Sequence, residues 1–229
     1  MEKSQKVKHL AIILDGNRRY AKSQSKKPWT GHEEGANKVD KLLEWSQKRD
    51  IKEITLYTLS TENLKRDKEE LDYLFNLLKK WNKKFQENKE IKNKVKIRFI
   101  GDLSLVPKDI SEIAEELQEK TKDNKEYKLN FCFAYGGRLE LINAFNKLRN
   151  EKPAEEEITE QDITNALWLS SEPDLIIRTG GKTRTSNFLP WQSVYSEWIF
   201  LNKMWPEFSE QDLEDCLNKF QETKRNFGK

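Results

Sequence analysis

The fold class this sequence predicts is α/β: one domain, residues 1–229, with a central, mostly parallel sheet of about six strands flanked by helices. Three observations predict it. Short apolar runs alternate with segments of helical periodicity along the whole chain. The first run, "HLAIIL" (9–14), is apolar and rich in β-branched residues, as a strand covered on both faces must be. The helical segments are long enough to serve as crossovers between parallel neighbours.

The elements follow in order. After the strand at 9–14, residues 33–49 place Ala36, Val39, Leu42 and Leu43 on one helical stripe. "EITLYTLS" (53–60) reads as the second strand. Residues 68–88 read as a helix with Leu71, Leu74, Phe75, Leu78, Trp81 and Phe85 at helical spacing. "VKIRFIG" (95–101) is a third strand, and 109–122 a charged amphipathic helix. "YKLNFCFAY" (127–135) is a fourth strand; a helix bearing Leu139, Ile142, Phe145 and Leu148 follows it. Thr159 is placed to cap a short helix through Leu169. "DLIIRTGG" (174–181) is a fifth strand with a glycine turn, and "SEWIFL" (196–201) a sixth. Ser209 caps a last helix through about Arg225, with Gly228 near its end.

Composition narrows the class of partner. Hydrophobic and charged residues each make up 35% of the chain, as in a soluble globular protein with a heavily solvated surface. The 42 basic and 39 acidic residues leave a net charge of only +3, without the basic stripe of a nucleic-acid binder. Cys132 and Cys216 form no C-x-x-C pair and read as buried, reduced thiols. The N-terminus lacks the apolar core of a signal peptide, and no run approaches the ~20 residues that span a bilayer. A cytoplasmic protein is expected, with peripheral membrane contact at most.

Ligands of open parallel sheets bind beyond the carboxyl ends of the strands. There the sequence places Asp15-Gly16-Asn17-Arg18-Arg19, Ser60-Thr61-Glu62-Asn63, Gly136-Gly137-Arg138 and Arg178-Thr179-Gly180-Gly181. All four clusters are expected at one rim. Its bases are arginines (Arg18, Arg19, Arg66, Arg138, Arg178, Arg184), although the chain elsewhere uses mainly lysine. Arginine grips phosphate oxygens bidentately, and neighbouring glycines let backbone approach an anion. So many bases suit a polyanion better than a single phosphate. Asp15 is the odd member, because a carboxylate repels phosphate unless a cation lies between them. Mg²⁺ held by one or two carboxylates and diphosphate oxygens resolves the conflict, with Glu197 as candidate second carboxylate. On spacing alone, an Asx turn or helix cap accounts for Asp15 better than a metal does.

Absences exclude other chemistries. There is no G-x-x-x-x-G-K-[ST] and no G-x-G-x-x-G, which argues against P-loop and dinucleotide sites. Two histidines, His9 and His32, cannot build a His-rich metal centre, and no D-D-x-x-D pair occurs. The helix at 68–88 carries an apolar excess: its stripe is complete without Tyr73 and Leu77. Ordinary core and a wall facing an apolar ligand both accommodate that breadth.

Six blocks carry a family resemblance: "DGNRRYA" (15–21), "GHEEG" (31–35), "LYTLSTENLKR" (56–66), "AYGGR" (134–138), "IRTGG" (177–181) and "RTSNFLPWQSVYSEW" (184–198). Together they resemble the cis-prenyltransferases, the family that includes undecaprenyl diphosphate synthase, from His9 to Gly228; the first and third blocks look archaeal-like. The resemblance implies repeated addition of isopentenyl diphosphate to an allylic primer, farnesyl or geranylgeranyl diphosphate. The product would be a long-chain polyprenyl diphosphate, precursor of a lipid glycosyl carrier. An apolar tunnel, Mg²⁺ and a homodimer are implied as well. Carried over by residue, Asp15 and Asn63 are catalytic, and Asp15 and Glu197 hold Mg²⁺. Gly16, Asn17, Arg18, Arg19, His32, Arg66, Glu70, Arg178, Arg184 and Ser186 bind substrate, the last three on the isopentenyl side. Pro28 stands where many members have arginine, a contact that Lys26 or Lys27 could supply; Leu64 and Lys182 also depart from the common pattern. The rival readings are a non-catalytic subunit of a heteromeric synthase, or a phosphatase or nucleotide-binding enzyme with a similar anion site.

Overall fold

The computed structural model describes residues 6–88, 93–153 and 155–223. Six parallel strands form one sheet: β1 (His9–Ile13), β2 (Glu53–Ser60), β3 (Val95–Ile100), β4 (Tyr127–Tyr135), β5 (Leu175–Arg178) and β6 (Glu197–Phe200). Their spatial order is β3-β4-β2-β1-β5-β6. The α-helices among the described residues are α1 (Asn17–Ser23), α2 (Gly31–Lys48), α3 (Lys68–Glu87), α4 (Lys108–Thr121), α5 (Gly137–Glu151), α6 (Glu160–Ala166) and α7 (Glu210–Glu222).

The period-2 geometry of strands divides the core in two. Leu10, Ile12, Ile54, Leu56, Ile97, Leu129, Leu175 and Ile177 face the stripes of α2, α3, α4 and α7. Ala11, Ile13, Tyr57, Cys132, Tyr135 and Ile176 face the opposite layer, where Leu169, Phe188 and Leu189 cover them. All five residues of β1 are buried, as its apolar composition requires. Both cysteines are free and buried.

Both expected caps form. Thr159 and Ser209 each accept from the backbone N–H three residues on, and Asp162 and Asp212 complete reciprocal capping boxes. Three boundaries differ from the sequence reading. The turn after β1 continues into α1, whose seven residues bury only Ala21 and so present no amphipathic period. The Thr159-capped helix stops at Ala166 rather than Leu169, because the buried Glu140 carboxylate captures the Leu169 N–H at 3.0 Å. β5 ends at Arg178, since Gly180 and Gly181 adopt φ of 85° and 67°. The predicted end of the last helix, Arg225 to Gly228, lies outside the described residues.

Candidate active site

The sheet reverses its winding at β1. Its chain neighbour β2 pairs on one side, and β5, much later in sequence, pairs on the other. The crevice beyond the carboxyl ends of β1 and β5 is therefore the switch point at which such folds place ligands. Ile13 pairs with Arg178, and Asp15 follows two residues later. Arg178 Nη2 donates to Asp15 Oδ2 at 2.8 Å, and Arg19 Nη2 donates to Oδ1 at 3.1 Å. The second terminal nitrogen of Arg178 is equally constrained: Nη1 donates to Ser186 Oγ at 2.7 Å and to the Arg184 carbonyl. Arg178 is only 3% exposed, and its buried Nε has no acceptor among the described residues. Buried donors are seldom left unused unless a ligand or water takes them.

Two glycines permit this convergence. Gly16 adopts φ 109°, outside the range of most side chains, and turns the chain from β1 into α1. A Cβ on Gly180 would lie 2.6 Å from Arg19 Nη2 and 3.0 Å from Asp15 Cγ. Any side chain there would wedge the Asp15 cluster apart.

A cavity of about 660 Å³ opens beside the cluster. Its polar end is lined by Asp15, Asn17, His32, Asn63, Arg66, Arg178, Arg184 and Ser186. It then runs between α2, α3 and the sheet, where Val39, Leu74, Leu77, Leu78 and Phe133 form an apolar wall. Trp81, Phe99 and Phe131 line it too, and Trp81 and Phe131 meet edge to face with ring centroids 5.0 Å apart. A smaller adjoining cavity, about 290 Å³, shares Asp15, Asn17, His32 and Arg66 and adds Gly16, Arg18, Arg19 and Lys22.

Behind the polar end, Glu70 is buried. It accepts from Arg66 Nη1 at 2.9 Å and meets His32 Nε2 at 3.3 Å, with Arg18 Nη1 3.6 Å away. The His32 hydrogen bond and the Arg66 and Arg18 charges hold its carboxyl below the ordinary value, against the opposing effect of burial. Asn63 bridges the end of β2: its Oδ1 accepts from the Ser60 N–H, and its own N–H donates to Ser60 Oγ.

Most predicted site residues thus converge on one rim, with four differences. Glu70 lines neither cavity; it sits behind Arg66 and His32 and fixes them. Glu197 is remote from Asp15 within one chain: it begins β6 in register with Leu175, at the amino end of the sheet. The spacing of a motif cannot reveal that register. Arg138 contributes its backbone N–H, to Asn187 Oδ1 at 2.9 Å, while its side chain is exposed. Lys26 and Lys27 do not line the anion cavities; Lys27 meets Glu69 and the Trp29 ring, and Lys22 lines the smaller cavity instead. Of the other two departures, Leu64 packs against the core and Lys182 is exposed. On α3, Leu77 and Leu78 both line the cavity, whereas the Tyr73 hydroxyl donates to Glu33 of α2.

Sequence reasoning missed the direct Asp15–Arg178 pair, which needs the β1–β5 register. It also missed the strain around Ser186: Ser186, Asn187 and Leu189 adopt φ of 52°, 64° and 49°.

Residues 13–228 match the model of the undecaprenyl diphosphate synthase family, Prenyltransf. The chain is 40% identical, over 96% of its length and 84% of the relative's, to a tritrans,polycis-undecaprenyl-diphosphate synthase (geranylgeranyl-diphosphate specific) of Methanopyrus kandleri. It is 39% identical to an isoprenyl transferase of Oceanobacillus iheyensis, over 96% of this chain and 89% of that one. Among solved structures, it resembles lavandulyl diphosphate synthase from Lavandula x intermedia in complex with dimethylallyl diphosphate. The TM-score is 0.91 and the identity 29%, covering 98% of this chain and 99% of that one. A cation-rimmed cavity at the sheet's switch point, an apolar extension beneath it and a family match across nearly the whole chain lead to one conclusion: this chain belongs to the undecaprenyl diphosphate synthase family of prenyltransferases.

Proposed function

We propose that the chain condenses isopentenyl diphosphate repeatedly onto an allylic primer, forming cis double bonds and a long polyprenyl diphosphate. One observation carries this reading above the rest. A rim of arginines passes without partition into an apolar pocket, so a single cavity suits a molecule with a diphosphate head and a hydrocarbon tail. Geranylgeranyl diphosphate is the proposed primer, as in the specificity for which the Methanopyrus kandleri relative is named.

In this reading Gly16, Asn17, Arg18, Arg19 and Lys22 hold the allylic diphosphate, because the smaller cavity they line collects bases. Arg178, Arg184 and Ser186 hold the diphosphate of isopentenyl diphosphate across the cavity. Charge-assisted hydrogen bonds are worth roughly 1.5–3 kcal/mol each. The arginines stabilise the negative charge that grows on the leaving diphosphate as the allylic C–O bond breaks. His32, fixed by Glu70, and Asn63, fixed on Ser60, border the reacting region.

Asp15 is the residue proposed to hold Mg²⁺. No group of three or more His, Cys, Asp or Glu side chains suited to a metal occurs among the described residues. A lone carboxylate fits Mg²⁺, which usually keeps waters and takes other oxygens from substrate phosphates. When bound, the ion neutralises diphosphate charge. Glu197 would need a different route to the same ion.

A homodimer is part of the proposal. Ile142 and Phe145 on α5 are 57% and 46% exposed, and Val194 and Tyr195 before the edge strand β6 are 68% and 62% exposed. Apolar exposure of this kind favours a partner surface. No helix among the described residues is long and apolar enough to cross a membrane. Synthesis on the cytoplasmic side, with transient membrane contact as product leaves, is the reading we favour. Mass analysis of products from isopentenyl diphosphate with geranylgeranyl or farnesyl primers tests the whole. Ladders of five-carbon increments support it, and absence of elongation from either primer refutes it.

A further inference from the structure

Besides arginines, four ionisable side chains line the large cavity: Asp15, His32, Tyr57 and Glu62. The condensation needs one group to accept a proton, and three of the four are committed elsewhere. Both Asp15 oxygens accept from guanidinium groups. His32 Nε2 faces the Glu70 carboxylate. Burial holds the Tyr57 hydroxyl well above its ordinary value, so it stays protonated. Glu62 is different. Its Oε1 accepts from Asn187 Nδ2 at 3.1 Å and its Oε2 from Thr61 Oγ1 at 3.3 Å, both neutral donors. Although burial pushes its carboxyl up, hydrogen bonds from its own N–H, Ser60, Asn187 and Thr61 outweigh this and keep it ionised.

We propose that Glu62 is the proton acceptor of the condensation, an assignment that rests on the function proposed above. The step balances as follows. The C4 carbon of isopentenyl diphosphate bonds to C1 of the primer as the primer's C1–O bond breaks, and diphosphate leaves. Positive charge then resides on C3. The C2–H bond breaks, its electron pair forms the C2=C3 double bond, and the proton passes to a Glu62 oxygen. Water later removes that proton.

Position favours Glu62. C2 is one carbon from the diphosphate-bearing C1, so its base must stand beside the residues that grip that diphosphate. Glu62 is fastened to Asn187, the neighbour of Ser186, whose hydroxyl accepts from Arg178. The left-handed backbone at Ser186 and Asn187 aims both side chains from adjacent positions. A weak base suffices, because a proton adjacent to a tertiary cation is far more acidic than a carboxylic acid; geometry limits the step.

The test compares wild type with Glu62→Gln, which keeps an oxygen for Asn187 but loses basicity, and with Glu62→Ala. We expect Glu62→Gln to lower kcat on the order of 10²- to 10³-fold, the usual span for one general base. The KM for isopentenyl diphosphate should stay within about threefold, and deuterium at C2 should slow the variant through a primary isotope effect. Formate should restore part of the turnover of Glu62→Ala. A Glu62→Gln enzyme with kcat near wild type, or a defect confined to KM, overturns the assignment and leaves the departing diphosphate as the base. Wild type that makes no product from either primer overturns the proposed function, and this proposal with it.

Discussion

The two ends of the sheet carry polar clusters of similar composition and opposite character. At the carboxyl end, Asp15 borders both cavities, with Arg178 lining the larger and Arg19 the smaller, and the Arg178 Nε–H has no acceptor among the described residues. At the amino end, Glu53 accepts from Ser171 Oγ at 2.6 Å, Asn130 Nδ2 at 2.8 Å and Lys128 Nζ at 3.2 Å. Thr55 Oγ1 there meets His9 Nε2 at 2.7 Å and Asn130 Nδ2 at 2.9 Å. His9, Glu53, Thr55 and Asn130 are all buried, and none lines either cavity. A buried carboxylate beside a histidine is thus no mark of a site in itself. What separates the two ends is access to space for a ligand, and the position of that space at the carboxyl ends of parallel strands.

The contrast breaks most sharply under single substitutions. Asp15→Ala should cut elongation on the order of 10²- to 10³-fold, the loss when one key electrostatic group is removed, while circular dichroism shows the fold retained and melting falls only because the buried Arg178 loses one acceptor. Glu53→Ala should do the reverse. It strands the Asn130 and Ser171 donors, each worth about 1–3 kcal/mol when unsatisfied, so chemical denaturation should show a loss near 3 kcal/mol. Turnover per folded molecule should persist. Loss of activity without loss of stability in Glu53→Ala would erase the distinction between the ends.

A smaller effect sharpens the carboxyl end internally. Arg184→Ala should raise the KM for isopentenyl diphosphate about 10- to 100-fold, as expected for one charge-assisted contact, with little change in kcat. Arg178→Ala should lower kcat as well, because it also frees Asp15 Oδ2. Steady-state kinetics with each substrate varied distinguish the two. Equal behaviour would mean that the Asp15–Arg178 bond has no catalytic consequence.

Next comes the apolar end of the same cavity. Leu77 is 8% exposed and lines the wall, so a larger side chain there must intrude on the cavity or distort α3. Each buried methylene adds about 0.8 kcal/mol of binding, so a growing chain holds progressively better until space runs out. Leu77→Trp should shorten the product while the first condensation keeps its rate. An unchanged product distribution from the folded variant, measured by mass spectrometry, would place the length limit elsewhere.

What was legible in the sequence follows from physics that acts locally. Apolar runs, helical stripes and the Thr159 and Ser209 caps are short-range signals, and each appears in the fold. Clusters directly after strands were legible as a rim, because parallel strands deliver their carboxyl ends to one side. Register was not legible. It joins Asp15 to Arg178 across 163 positions and sends Glu197 to the far end by pairing it with Leu175, and neither pairing is set by the local pattern of either segment. Glu62 was read as part of a rim cluster but not as a base, since its freedom from cations is known only once Asp15 and His32 are seen to be committed. The amino-end cluster left no trace, because His9, Glu53 and Asn130 come from three strands.

The smallest expected effect concerns pH at that silent end. Burial holds the His9 imidazole below its ordinary value of 6.5, despite the opposing pull of Glu53 and Asp174. A depressed histidine favours the neutral form in the folded state. Above the unfolded value both states are neutral, and the full stability is present. As pH falls below about 6.5, the unfolded chain binds the proton first. Stability therefore declines until the folded pKa is passed. Glu53 does not confound that window: although burial pushes its carboxyl up, His9, Ser171 and Asn130 hold it below the ordinary value of 4.5. Thermal melts from about pH 7.5 to about pH 5 should show Tm of wild type falling by a few degrees, and His9→Gln should flatten that slope because the buried ring that resists protonation is gone. Elongation measured at neutral pH on folded His9→Gln should match wild type, since the residue lies at the amino end of β1, away from both cavities. A slope that persists unchanged in His9→Gln would assign the acid sensitivity to other groups. A loss of neutral-pH activity in a fully folded variant would be the more damaging result, because it would couple the two ends of the sheet that the structure keeps apart.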